Sequence, residues 1–172
     1  MVAPLSRAQQ QQVLARTEHF MCRAEAIHGR RFARIPVLFD LRGRAAGMFK
    51  AAGGQCWIRF NPWIFSKYFA ENLRDTVPHE VAHYIVHAIS RGRRVRPHGP
   101  QWQALMARFG AAAEVTFDRD LSGVPQRRQR RHPYRCACRV HQVSTTRHNR
   151  MLAGTGRYHC RYCDSLLVYT AP

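Results

Sequence analysis

Apolar residues recur every three to four positions over residues 6–27, at Val13, Leu14, Phe20, Met21, Ala24 and Ile27, the spacing of a helix with one face in a core. Ser6 suits its N-cap and Gly29 its stop. From 35 to 60 the period shortens: IPVLFDL, AAGMFKAA and QCWIRF are β-like runs broken by RGR and by Gly53-Gly54, a hairpin signal. The end of the last run, Trp57 to Phe60, is a candidate sheet edge to which an extended peptide adds itself. Cys22 and Cys56 read as packing thiols. Residues 64–72 are amphipathic and lead into 75–89, where Val77, Val81, Tyr84, Ile85, Ala88 and Ile89 restore the helical period, with Asp75 or Thr76 as N-cap and Pro78 in the first turn. GPQWQALMARFG predicts a further helix, and residues 114–117 a last short element. The pattern then lapses: 125–133 is a basic stretch, and 134–172 holds too little apolar sequence for a core of its own. An α+β domain over 1–124, a linker over 125–133 and a small module over 134–172 follow.

The helix over 75–89 carries His79-Glu80-Val81-Ala82-His83. Four residues at ~1.5 Å each bring both histidines out of one face a turn apart, so one metal ion can touch both. Glu80 leans toward the same pocket, where a carboxylate can take a proton from water acidified by the metal, which is the skeleton of a zinc hydrolase. A catalytic zinc takes three protein ligands and keeps one position open. His87 lies about 12 Å further along the same helix, too far to share the ion. Val86 and Ile89 stand where a metzincin has Gly and His. Glu114 has no recognisable local support, whereas His98 follows a Gly- and Arg-rich turn and opens the next helix, which makes it the favoured third ligand.

In the tail, Cys136-x-Cys138 and Cys160-x-x-Cys163 flank 21 residues that include a Gly154-Thr155-Gly156 turn. Two cysteine pairs on tight turns describe a zinc ribbon, four thiolates about a structural ion, with His141 a rival to Cys136 for one position. Charge adds a partner. The chain of 172 residues has 28 Lys plus Arg against 10 Asp plus Glu, a net charge of +18, and only Lys50 and Lys67 are lysine. Arginine forks phosphate oxygens bidentately, so DNA, single-stranded or irregular, is the expected partner. Arg127, Arg128, Arg130 and Arg131 of the linker and Arg147 and Arg150 of the tail are the expected contacts. Tyr134, Tyr158 and Tyr162 are lesser candidates for stacking on bases. No run of ~18 apolar residues suggests a membrane span, and the polar first dozen residues lack a secretory core. A cytoplasmic protein is expected, nucleoid-associated if bacterial, with its cysteines serving as metal ligands or buried thiols.

VPHEVAHYIVHAISRGRRVRPHGPQWQALMARFG, with IRFNP before it and a cysteine-bearing tail after it, resembles the SprT family of zincin metalloproteases, of which the DNA–protein crosslink protease Spartan is a more distant member. The resemblance implies a zincin-like catalytic domain with a C-terminal zinc ribbon. It implies His79, His83 and His98 as zinc ligands, Glu80 as general base, and Cys136, Cys138, Cys160 and Cys163 around a second zinc. It also implies an endopeptidase that DNA recruits to bound or crosslinked proteins. Two other readings of the residues stay open: a nucleic-acid-binding module whose metal helix is structural, and a zinc peptidase that acts without DNA.

Overall fold

A computed structural model describes residues 1–90, 93, 95–113, 118–126 and 130–170. The chain divides into two compact units, Met1–Gln126 and Arg127–Pro172. Glu114, Arg127 and Arg128 lie outside the described residues.

The first unit opens with α1, Arg7–His28, held at its start by a reciprocal capping box between Ser6 and Gln9 and closed by Gly29 in the left-handed conformation. Val13, Phe20, Met21 and Ala24 enter the core. Cys22 does not pack as expected: it is exposed and donates to Glu18. Three strands follow, β1 (Val37–Leu38), β2 (Gly47–Ala52) and β3 (Gln55–Phe60), with the hairpin at Gly53-Gly54 in place. Their order is β1-β3-β2, parallel on one side and antiparallel on the other. Trp57 to Phe60 therefore lies in the central strand and not at an edge; the free edge beside the histidine helix belongs to β2.

Helix α2, Pro62–Lys67, is capped by the buried Asn61, whose side chain accepts from the Trp63 and Ile64 amides and donates to the Gly43 carbonyl. After one turn, α3 (Phe69–Glu71), the chain winds as a π-turn over Asn72–Thr76 and runs without a break into α4, Val77–Ile89. Neither Asp75 nor Thr76 caps α4. Thr76 has helical dihedrals, and its hydroxyl donates to Asn72 Oδ1, because the preceding turn already supplies acceptors for the first amides of α4. Asn72 is itself buried and bonded to the Ile64 and Tyr68 carbonyls, which holds the π-turn in register. The core joins α1, β3 and α4 with α5, Pro100–Arg108, through Phe20, Ile58, Phe60, Val81, Ile85, Trp102 and Met106.

One ion-pair network fastens α1 to the segment before β1: Arg34 bonds both Glu18 and Glu25, and Glu25 also accepts from the Phe32 amide. Arg34 and that amide hold the Glu25 carboxyl down to about 2. A carboxyl lowered by folding stabilises the fold above its unfolded value and loses that contribution as pH falls toward its folded value. The melting temperature is expected to drop as pH falls from ~4.3 toward 2, and Glu25→Gln to melt lower at pH 7 with a shallower acid slope; thermal unfolding across this range tests both.

The second unit is a three-stranded sheet, β5-β4-β6, of β4 (Arg131–Arg135), β5 (Val140–Ser144) and β6 (Val168–Tyr169). Its first strand takes in Arg131, His132 and Pro133, within the stretch read as linker, because these residues ladder with Ser144, Val143 and Gln142. Helix α6, Thr145–Leu152, has no counterpart in the sequence reading. Its residues are nearly all polar, and only His148 is buried, ring-stacked on His132 and accepting from or donating to the Tyr134 hydroxyl.

Candidate functional site

Among the described residues, each unit carries one group of side chains that could hold a metal ion. In the first, α4 presents His79 and His83 from successive turns, as their spacing of four requires. His98 reaches them from a tight turn, Arg96 to Gly99, closed by a hydrogen bond from the Gly99 amide to the Arg96 carbonyl. Pro97 stands second in this turn, and His98, third, has φ 54°, the type II pattern that glycine or asparagine ordinarily fills. The three Nε2 atoms are each 3.0 Å from the other two. Burial and the neighbouring His79 and His98 hold His83 down to about 3, and burial lowers His98, so their neutral forms prevail at neutral pH. Three converging imidazole lone pairs repel one another unless a cation lies among them. Nitrogens this close can all reach one ion at ~2.0–2.1 Å.

Glu80 is buried beside this group, 5% exposed. Its Oε2 accepts from the Phe49 amide of β2 at 2.7 Å. Burial pushes the carboxyl up to about 8, opposed by that amide, which favours the charged form, as a cation among the imidazoles would too. A cavity of about 520 Å³ opens next to His79 and Glu80, with Gly47, Thr76, Arg44 and Arg119 among its walls. Arg59 and Tyr84 are committed elsewhere: Arg59 pairs with Asp40, and the Tyr84 hydroxyl donates to the Ala33 carbonyl. His87 is not with the triad but packs on Phe49, ring centroids 5.4 Å apart.

Trp102 escaped the sequence reading as a site residue, although it stands on the first turns of the helix that His98 introduces. Its indole lies against all three imidazoles, with centroids 4.8, 5.6 and 4.7 Å away, and donates to the His79 carbonyl. It is 1% exposed. Trp102→Ala is expected to destabilise the unit by about 3–5 kcal/mol and to weaken metal binding with it, since the rings lose the wall that fixes their tilt; Trp102→Phe is expected to recover most of both. Chemical denaturation and metal titration of the two variants check this.

In the second unit Cys136, Cys138, Cys160 and Cys163 bring their sulfurs within 4.8 Å of one another. The Cys136–Cys138 and Cys138–Cys160 separations are 3.5 and 3.7 Å, close to the ~3.8 Å edge of a tetrahedron with 2.3 Å metal–sulfur bonds. Ser165, through its side chain and then its backbone, draws Cys163 down to about 6. Cys138 goes the other way: Arg139 is its largest single influence and lowers it, yet the thiols of Cys136 and Cys163 together push it up to about 11. His141 stands beside the cluster, its Nε2 3.2 Å from Cys136 Sγ, while the group whose ligand atoms all lie within 4.8 Å of one another is the four cysteines.

Arg130, Arg131, Arg147 and Arg150 are exposed. Of the three tyrosines, Tyr134 is buried and Tyr158 half-buried; Tyr162 is 57% exposed, with the guanidinium groups of Arg139 and Arg161 3.8 and 4.7 Å from its ring centroid. No helix among the described residues is long and apolar enough to cross a membrane.

Residues 17–130 match the SprT-like family, a span that takes in the histidine group and ends before Cys136. Over 160 residues the chain is 35% identical to Protein SprT of Klebsiella pneumoniae (strain 342), covering 92% of each. It is 36% identical to Protein SprT of Shewanella oneidensis over 160 residues, 92% of the chain and 98% of the relative. Against Protein SprT of Pseudomonas paraeruginosa the identity is 38% over 160 residues, 91% and 93% of the two chains.

Proposed function

Because the chain belongs to the SprT-like family, we propose that it is a zinc-dependent endopeptidase of zincin-like fold, brought by DNA to proteins bound or crosslinked to it. The observation that carries the reading is the set of three Nε2 atoms 3.0 Å apart with a buried carboxylate next to them in sequence. His79, His83 and His98 would hold the catalytic zinc, and the four cysteines a structural one. Bound by three imidazoles, zinc supplies Lewis acidity toward water and a peptide carbonyl. Glu80 removes a proton from the attacking water as its oxygen bonds to the carbonyl carbon, and passes that proton to the amine nitrogen as the C–N bond breaks. Trp102 keeps the imidazoles in place, and the cavity beside Glu80 receives the chain to be cut.

Recruitment rests on charge. The described ribbon and the residues leading to it present exposed arginines at 130, 131, 135, 139, 147, 150, 157 and 161 with Asp164 as their one carboxylate. Phosphate contacts by these groups give sequence-independent binding, and the Tyr162 ring adds a face on which an unpaired base can stack. A cytoplasmic, nucleoid-associated location fits such a partner.

The test incubates zinc-loaded protein with one model protein, free or crosslinked to a single-stranded oligonucleotide, and follows fragments on a gel. Cutting of the crosslinked form alone is expected; equal cutting of both would remove DNA recruitment, and binding without cutting would leave a nucleic-acid-binding module. Affinity for the oligonucleotide is expected to fall steeply with salt, log K against log salt having a slope of about −0.7 per phosphate neutralised. Replacing Arg147 and Arg150 by Gln is expected to flatten that slope, and a slope near zero in the wild type would remove the DNA reading.

A further inference from the structure

We propose, on the basis of the peptidase reading above, that Gly47 and the backbone N–H of Phe49 are positioning residues for Glu80: a two-point cradle on the free edge of β2 that fixes where the carboxylate stands. Phe49 is in register with Ile58, and Ile58 gives its own N–H to the Pro36 carbonyl on the far side of β3. In an antiparallel ladder both members of such a pair face away from each other, so the Phe49 N–H points out of the sheet. Its acceptor there is Glu80 Oε2, at 2.7 Å. The second point is a space. A Cβ on Gly47 would stand 2.7 Å from both Glu80 Cγ and Glu80 Oε1, and 2.8 Å from Thr76 Cγ2.

Gly47 does not owe its place to a left-handed backbone: it lies within β2 and is not among the positive-φ glycines. What it lacks is the methyl group, and what fills that volume is the carboxylate. Oε2 is held by an amide and Oε1 lies against the glycine, with Thr76 Cγ2 beside the same space, so both carboxylate oxygens are tied to the β2 edge. A methyl at 47 would push Oε1 away and take Oε2 off the Phe49 amide in the same movement. The histidines come from α4 and from the 96–99 turn and are untouched by this change.

In full-length zinc-loaded protein, Gly47→Ala is expected to keep its zinc and its KM while kcat falls about 100-fold, the loss that follows a displacement of about 1 Å at a reacting group. A purely structural role would lower stability or zinc content and leave kcat of the folded fraction unchanged, and near-wild-type kcat in folded Gly47→Ala would overturn the proposal. An independent reading is hydrogen exchange of the Phe49 amide by NMR. Exchange is expected to quicken about tenfold in Glu80→Ala, as loss of one charge-assisted hydrogen bond implies, and an unchanged rate would overturn the proposal even if Gly47→Ala does not fold. A wild type that cuts no protein would remove the peptidase reading, while the exchange result would still decide the cradle.

Discussion

Glu80→Gln is expected to remain folded and zinc-loaded and to lose peptide hydrolysis by about 10²–10⁴-fold, the range that a positioned general base supplies. The amide has the shape of the carboxylate it replaces, and its carbonyl oxygen can still accept from the Phe49 N–H at the β2 edge. The buried site therefore keeps its packing and loses proton transfer alone. His79, His83 and His98 are unaltered, so zinc measured by mass spectrometry should match the wild type while fragments disappear from the gel. A variant that still cuts would show that the acid–base group lies elsewhere; one that loses its zinc would show that Glu80 supports the ligands directly.

Cys160→Ser is expected to unfold the second unit outright. The buried cluster there consists of Tyr134, Cys136, Val143, Cys160 and Leu167, so two of its five members are thiols of the four-cysteine group. A module of this size has too little apolar area to offset its chain entropy without a staple. Binding of a structural zinc contributes about 10–16 kcal/mol, and for such modules that is folding free energy. Losing one of four sulfurs, with a hydroxyl left at a position that is 1% exposed, removes most of it. NMR should show the ribbon amides collapsing to unfolded positions while those of Met1–Gln126 stay dispersed, and oligonucleotide affinity should fall with them. A strong chelator should do the same to the wild type. Ribbon amides that stay dispersed in either experiment would mean that the unit folds without an ion.

The parts of this protein readable from sequence are those that a local period or spacing specifies. Residues 6–27 announced a capped helix through Ser6 and Gly29, and the i, i+4 histidines lie one turn apart because the apolar positions around them repeat as a helix must. The cysteine pairs were legible for the same reason, since tight spacing on turns leaves few other uses. What stayed hidden is set by distant partners. That β3 is central and β2 the edge depends on the parallel pairing of Val37 and Leu38 with Ile58 and Arg59, for which the β3 sequence carries no local signal. The π-turn before α4 rests on Asn72 reaching back to the Ile64 and Tyr68 carbonyls, and a period of 3.6 does not report it. Helix α6 has almost no apolar residue to mark a face. Phe49 touches Glu80 through its backbone, which no side-chain pattern reveals, and the contact of Trp102 with three histidines depends on the packing of α5 against α4, which its spacing does not report.

The turn that carries His98 bears on how an ion would come and go. Two of the three ligands are fixed by a helix that is buried along most of its length, while the third sits on a non-glycine residue at φ 54°, a conformation that costs of order 1–3 kcal/mol and persists only while something holds it. Here the Gly99 N–H to Arg96 carbonyl bond and the Trp102 ring against His98 hold it, and a bound ion would add a further tie. Were an ion bound, the two histidines of α4 would form a standing half-site and His98 the latch, and exchange would be expected to run through a two-ligand state entered when this turn relaxes.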